Sequence, residues 1–204
     1  SVLLCVDLGG RRIIKKKKIV LGSMGLASDN FLARMDTSGN FIWARGMGGV
    51  GAERDPNINV NENGKIYLLT QTSDSSHFGN FFIPPGGGII QYDSLGNCLS
   101  AEIKFTAPIT GNTNGVFLDF IGTDLILYGL HRSIPFQLDT ATLITNGNYD
   151  GFIARADSNG SVKWIKTYGN GGVDYIQSIT IDNQNNIYAT GGFKDSINLG
   201  GINL

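Results

Sequence analysis

The chain has 204 residues, 41% of them apolar, which is enough for a substantial hydrophobic core. Its formal net charge is −1, but six of the sixteen basic residues fall within residues 11–18, so the remainder carries ten basic and seventeen acidic groups. This acidic remainder argues against nucleic acid as the main partner, and no apolar run approaches the ~20 residues that cross a bilayer.

The chain repeats itself at a fixed spacing. The pattern Asp-x-Phe-x-Ala-Arg-x-Asp-x-x-Gly-x-x-x-Trp begins at Asp29 and returns 121 residues later at Asp150, and the register holds without a gap to Tyr67 and Tyr188. A weaker copy over residues 89–100 lies between the two, so the steps are 57 and 64 residues and the unit is about 60 residues long. Such a repeat predicts a modular architecture before any local pattern is considered.

Residues 1–28 are interpreted as the tail of an earlier, incomplete unit, because Cys5 to Gly10 aligns loosely with Ile187 to Gly192. This segment fits the repeat least well, and it contains the basic run Arg11 to Lys18. A solvated loop between two edge strands is favoured for the run over contact with a membrane surface or a polyanion, since the flanking apolar residues lack amphipathic spacing.

Within the last unit the apolar residues alternate with a period of 2, which is typical of half-buried strands. Four short strands are predicted, near Phe152, Val162, Ile176 and Ile187, joined by polar or glycine-rich turns. No stretch predicts a helix. Four antiparallel strands per repeat form the blade of a β-propeller, so the predicted fold class is all-β, built from propeller blades.

The predicted organisation is one partial β-propeller domain. Residues 29–85 and 150–204 each form a blade, residues 86–149 form a divergent blade, and residues 1–28 are the tail of a preceding blade. The middle unit diverges because Ser100 stands where Trp is expected, and Gly122 to Tyr128 replaces the Asn-Asn-Ile-Tyr stretch with altered spacing. Propellers use four to eight blades, so a longer chain or further copies would have to complete the ring.

The best-defined local motifs are two hairpin turns, each followed by a tryptophan: Asp36 to Gly39 with Trp43, and Asp157 to Gly160 with Trp164. The Asp carboxylate is expected to accept hydrogen bonds from backbone N–H groups of the turn, the Gly to take a positive φ, and the Trp to pack over the hairpin. The Asp-box of sialidase-like propellers and the tryptophan-docking repeat of quinoprotein propellers differ in spacing by about a residue, and a structural role is favoured.

Two oxygen-rich loops are candidates for calcium: Asp182, Asn183, Asn185 and Asn186 in one, and Asn59, Asn61, Glu62 and Asn63 in the other. Each loop has a single carboxylate, whereas calcium takes six to eight oxygen ligands, so a polar turn is favoured and no metal-binding residue is assigned. Cys5 and Cys98 fall at non-equivalent points of the repeat, which predicts neither a repeated disulfide framework nor a metal site.

No catalytic residue, cofactor-binding residue or cofactor is assigned. His77 and His131 are expected in polar loops of different units, with no repeated nucleophile near either, and Glu is scarce. Glu53 and Asp174 are equivalent acidic residues that follow glycine-rich loops. They either line a site on one rim or hydrogen-bond a neighbouring unit.

The last unit, from Phe152 to Phe193, combines Phe-Ile-Ala-Arg-x-Asp-x-x-Gly-x-x-x-Trp with a glycine-rich loop, an acidic residue, Asn-x-Ile-Tyr and Gly-Gly-Phe. This pattern resembles the bacterial seven-bladed propeller repeat family, often abbreviated SBBP, and the resemblance covers nearly all of residues 29–204. It implies a secreted or cell-surface bacterial protein, commonly large and modular. The family brings no known catalytic residues.

The predicted function is therefore a non-catalytic extracellular scaffold or binding module whose rim loops contact protein, glycan or a surface. Two alternatives stay open. One is a propeller-based enzyme of the sialidase, lyase or quinoprotein type, with its site in blades absent from this chain. The other is a surface filament or assembly subunit, in which open blade edges pair between chains or copies.

Overall fold

A computed structural model describes residues 29–105, 115–132 and 135–204. The predicted tail over residues 1–28, with Cys5 and the basic run Arg11 to Lys18, lies outside these ranges. The described residues form strands and turns without a helix, which confirms the all-β class. The strands are β1 (Asn30–Met35), β2 (Phe41–Gly49), β3 (Glu53–Val60), β4 (Ile66–Thr72), β5 (Ser76–Phe78), β6 (Phe81–Ile83), β7 (Gly86–Tyr92), β8 (Cys98–Phe105), β9 (Val116–Ile121), β10 (Asp124–Arg132), β11 (Phe136–Leu138), β12 (Ala141–Leu143), β13 (Tyr149–Ala156), β14 (Val162–Tyr168), β15 (Tyr175–Ile181), β16 (Ile187–Gly192), β17 (Asn198–Leu199) and β18 (Ile202–Asn203).

The sheets are antiparallel and contain the same meander twice. A four-stranded sheet has the order β14-β13-β10-β9. A six-stranded sheet has the order β12-β11-β8-β7-β4-β3, so its last four strands repeat that arrangement one unit earlier in the chain. A further sheet has the order β1-β2-β5-β6, and β15-β16 and β17-β18 form two-stranded sheets.

Each four-stranded meander combines the third and fourth strands of one sequence repeat with the first and second strands of the next. The sequence repeat groups β13 to β16 together, but β13 pairs along its length with β10, so that Leu127 lies opposite Ala154. This pairing crosses the boundary at residue 149 that the repeat spacing suggests. A sequence repeat defines a period, but the point at which one sheet ends depends on which strands hydrogen-bond.

A short hairpin separates the second and third strands of each meander and joins the preceding sheet. β5 pairs with β2 through Gly48 and His77, and β11 pairs with β8 through Phe105 and Leu138. The β17-β18 hairpin follows β16 at the corresponding place in the chain. The β5-β6 and β11-β12 hairpins therefore link successive sheets by backbone hydrogen bonds in addition to side-chain packing.

Three hydrophobic layers lie between successive sheets. Because side chains alternate along a strand, β4 contributes Leu68 to one layer and both Tyr67 and Leu69 to the next. The buried members include Leu32, Met47, Leu68 and Ile90 in the first layer, Tyr67, Leu125, Leu127 and Phe152 in the second, and Ile126, Ile153, Ile176 and Ile179 in the third. The sheets are therefore stacked face to face.

Two expectations about the middle of the chain are resolved by the strands. The altered spacing of the middle unit arises because β9 and β10 are joined by a tight turn at Gly122, whose φ of 58° is accessible to glycine.

The prediction that the histidines lie in polar loops is wrong. His77 lies in β5, and His131 lies in β10 with its ring centroid 6.0 Å from that of Phe136 and 6.1 Å from that of Phe152.

Candidate functional site

Five side-chain-stabilised turns lie at one end of the sheets, and together they are called the turn rim: residues 36–40, 61–65, 93–97, 157–161 and 182–186. In each turn the first residue is Asp or Asn. Its side-chain oxygen accepts backbone N–H groups two and four residues further on, at 2.8–3.1 Å. Each turn therefore has stabilising hydrogen bonds of its own within five residues.

The turn prediction for Asp36 is confirmed. Its Oδ1 accepts the N–H groups of Ser38 and Asn40, both at 2.9 Å, and Gly39 has a φ of 86°. The hydrogen bonds from the backbone and side chain of Asn40 hold the pKa of the Asp36 carboxyl below its usual range. The carboxylate is thus ionised at neutral pH and committed to its own turn.

The oxygen-rich loop at Asp182 uses its ligand atoms in the same way. Asp182 accepts hydrogen bonds from the backbone of Gln184 and Asn186, the amide of Asn186 and the hydroxyl of Tyr188, all at 2.8–3.2 Å. The loop at Asn61 has the same backbone bonds. In the part of the chain that the structure describes, no group of three or more His, Cys, Asp or Glu side chains is arranged to hold a metal ion.

The tryptophan of the first motif, Trp43, contacts a turn of the next unit, which the sequence did not predict. The Trp43 indole Nε1 donates to the Ser94 carbonyl at 3.2 Å, and Arg45 donates to the carbonyls of Gly96 and Leu95 at 3.1 and 3.0 Å. A Cβ on Gly96 would lie 3.0 Å from the Trp43 ring. Trp43 and Arg45 therefore form a clamp around turn 93–97 of the following unit.

We expect Gly96→Ala to lower the free energy of unfolding more than Gly39→Ala. Gly96 and Gly39 have φ values of 77° and 86°, so alanine at either position costs about 1–2 kcal/mol in backbone strain. Only Gly96 faces the Trp43 ring, whereas a Cβ on Gly39 meets nothing within 4 Å, so Gly96→Ala should cost about 1 kcal/mol more. Urea denaturation measures both, and equal costs would contradict the clamp.

The equivalent acidic residues Glu53 and Asp174 are buried hydrogen-bond acceptors. Ser76 of β5 donates to Glu53 of β3 at 2.5 Å, which links two sheets, and Asp174 accepts the backbone N–H groups of Asn170 and Lys194 at 2.8 and 2.9 Å. Burial, followed by the nearby Asp29 carboxylate, raises the pKa of Glu53 against the lowering effect of Ser76. These partners lie in the same sequence unit as each acid, so they do not match the predicted bonding to a neighbouring unit.

Charged contacts between strands of one sheet were missed by sequence reasoning. Asp124 lies 2.7 Å from both Arg155 Nε and Lys163 Nζ, and hydrogen bonds from Lys163 and then Arg155 hold its pKa below the usual range. Arg34 occupies the position of Arg155 in the repeat but donates to the Ser94 carbonyl at 3.2 Å. The recurrence of Arg at this position of the repeat could have indicated a hydrogen-bonding role. The sequence did not show that Arg34 and Arg155 have different partners.

Two exposed features remain as candidate contact surfaces. A groove of about 760 Å³ is lined mainly by apolar side chains, with Trp164 and Lys166 on one side and β16 on the other. At the end of the sheets opposite the turn rim, the β5-β6 hairpin exposes Phe82, whose ring centroid lies 4.9 Å from that of His77.

Cys98 is half-buried and is a free thiol. Burial raises the pKa of this thiol to about 11, so it is not a reactive thiolate at neutral pH.

No protein-family model matches the chain, and no curated protein matches it. In the described ranges, no helix has the length and apolar character needed to cross a membrane.

Proposed function

We propose that the stacked sheets are blades of a β-propeller and that the protein is a non-catalytic, extracellular scaffold or binding module. Support for the blades comes from two consecutive four-stranded antiparallel meanders that are stacked face to face. The resemblance of the repeat to the bacterial seven-bladed propeller repeat family supports a secreted or cell-surface setting. The partners proposed are proteins or glycans.

The observation that carries a binding role is the exposed aromatic surface on the β5-β6 hairpin. Phe82 is 59% exposed and pairs across the hairpin with His77, while β5 is hydrogen-bonded to β2 of the preceding sheet. An exposed aromatic ring that is held in place loses little conformational entropy when a partner covers it. The turn rim, by contrast, uses its polar groups internally.

We expect the protein to be retarded by a neutral polysaccharide in affinity electrophoresis, and Phe82→Ala to weaken that retardation at least tenfold. The reason is that one buried aromatic anchor contributes about 1.4 kcal/mol or more to a small interface. Leu95→Ala is the matched control, because Leu95 is also exposed but lies on the turn rim.

Equal weakening by Phe82→Ala and Leu95→Ala would contradict a site on the β5-β6 hairpin. Release of new reducing ends from the polysaccharide would contradict the non-catalytic part of the proposal. The same two variants are tested against a panel of neutral and acidic polysaccharides. This comparison separates aromatic stacking from charge-driven adsorption.

A further inference from the structure

Asn-Gly pairs recur along the chain, and they begin at Asn63, Asn114, Asn146, Asn159 and Asn170. Asparagine is a thermolabile residue, and it is most reactive before glycine, because glycine has no side chain to hinder attack by its backbone nitrogen. Asn114 lies outside the described residues. The other four pairs lie in turns or loops, so their local structure decides which of them can react.

We propose that Asn170 is a site of spontaneous deamidation, at which the backbone nitrogen of Gly171 attacks the side-chain carbonyl carbon of Asn170. The nitrogen loses its proton to water and forms a bond to Cγ of Asn170, and the side-chain amide takes up a proton and leaves as ammonia. Water then opens the resulting succinimide ring at either of its carbonyl groups. The product at position 170 is aspartate or isoaspartate.

Two of the four pairs are protected by hydrogen bonds of the turn rim. The backbone N–H of Gly64 donates to the Asn61 carbonyl, and that of Gly160 donates to the Asp157 carbonyl, both at 2.9 Å. Each nitrogen must break this bond before it can lose its proton. The asparagines of these two pairs are therefore expected to react slowly.

The pair at Asn146 is restrained by packing. A Cβ added to Gly147 would collide with the backbone carbonyl oxygens of Asn170 and Gly172, so the backbone of Gly147 is closely surrounded by another loop. Ring closure needs the asparagine side chain and the following nitrogen to approach each other. The packing around Gly147 opposes the backbone rotation that this approach requires.

The pair Asn170-Gly171 lacks these restraints. Both residues are exposed, and a Cβ added to Gly171 would meet nothing within 4 Å. Among the described residues, the backbone N–H of Gly171 has no hydrogen-bond partner. The side-chain amide of Asn170 donates to the Ser196 hydroxyl at 3.1 Å, but this bond is exposed and water competes with it. The attacking nitrogen is therefore free to lose its proton.

The reaction would alter the loop that connects β14 to β15. Asp174 is fully buried and accepts the backbone N–H groups of Asn170 at 2.8 Å and of Lys194 at 2.9 Å, so it joins this loop to the segment after β16. Isoaspartate at position 170 lengthens the backbone by one carbon, and either product adds a negative charge to the loop that the Asp174 carboxylate holds. Because like charges repel, the modified loop is expected to be held less tightly.

The site is tested by incubating the folded chain at mildly alkaline pH and locating the converted asparagines by proteolysis and peptide mass spectrometry. Asn170 is expected to convert about tenfold faster than Asn63 or Asn159, the ratio that corresponds to a hydrogen bond of about 1.4 kcal/mol. The same incubation in urea removes the local structure, and the rates are expected to become similar. Equal rates at Asn170 and Asn159 in the folded chain would overturn the proposal.

Gly171→Val is the matched variant, because the repeat has Val50 at the corresponding position. Gly171 does not have a positive φ, and an added Cβ meets no neighbour, so valine is expected to fit. The branched side chain hinders attack by the backbone nitrogen, so conversion at Asn170 should fall about tenfold while that at Asn146 stays the same. Unchanged conversion at Asn170 in this variant would contradict the succinimide route. Neither measurement involves Phe82, so the proposed binding role is tested separately.

Discussion

Phe152→Ala is expected to lower the free energy of unfolding by about 3–5 kcal/mol, the range for removing a fully buried aromatic ring. Phe152 is 0% exposed and packs between two sheets, with its ring centroid 5.7 Å from that of Phe136. Its repeat counterpart Phe31 is 74% exposed, so Phe31→Ala should change the unfolding free energy of a single chain by about 0.5 kcal/mol or less. Chemical denaturation of dilute protein measures both values.

The comparison isolates tertiary environment, because the two residues have the same side chain at the same place in the repeat. If Phe31→Ala and Phe152→Ala cost the same in dilute protein, Phe31 is buried within the single chain. That outcome would contradict the exposed face of β1.

Stability is expected to fall as the pH is lowered from about 6.5 towards 4, in part because of His131. Burial lowers the pKa of His131 to about 4, whereas an unfolded chain has a histidine pKa of about 6.5. Between these values the unfolded chain binds a proton that the folded chain excludes. Acidification therefore favours unfolding, and the loss from this group alone approaches about 3 kcal/mol.

His131→Leu is expected to remove this part of the pH dependence. Both ring nitrogens of His131 lack a hydrogen-bond partner among the described residues, so the substitution sacrifices no bond seen there. Asp150 lies opposite His131 in the sheet, and burial raises its pKa, which opposes the histidine effect. The measurement is therefore the difference between wild type and variant in the slope of the free energy of unfolding against pH.

The control for this prediction is His77→Leu, since His77 is exposed on β5. Urea denaturation at pH 7, 6, 5 and 4.5 gives the slope for each protein. If His131→Leu keeps the wild-type slope of unfolding free energy against pH, the buried histidine is not its source. Loss of that slope in His77→Leu would lead to the same conclusion.

Local features of this protein were predictable because their causes lie within a few residues. The turn at Asp36 depends on bonds to Ser38 and Asn40 and on a glycine with positive φ, all within one short stretch. The strands near Phe152 and Ile187 lie where the period-2 spacing predicts them, and in β13 Phe152 and Ala154 face one hydrophobic layer while Ile153 faces the next. For the same reason the polar-turn interpretation of the Asp182 loop fits its hydrogen bonds.

The all-β class, the period of the repeat and the chemistry of the turns follow from the sequence alone. The tertiary structure adds which strands share a sheet, that Trp43 clamps the following unit, and that His131 is enclosed between aromatic rings. It also separated Phe31 from Phe152, which the repeat treats as equivalent. The physical reason is that burial depends on what lies across the sheet, and a residue's neighbours in the chain do not specify whether that position is filled.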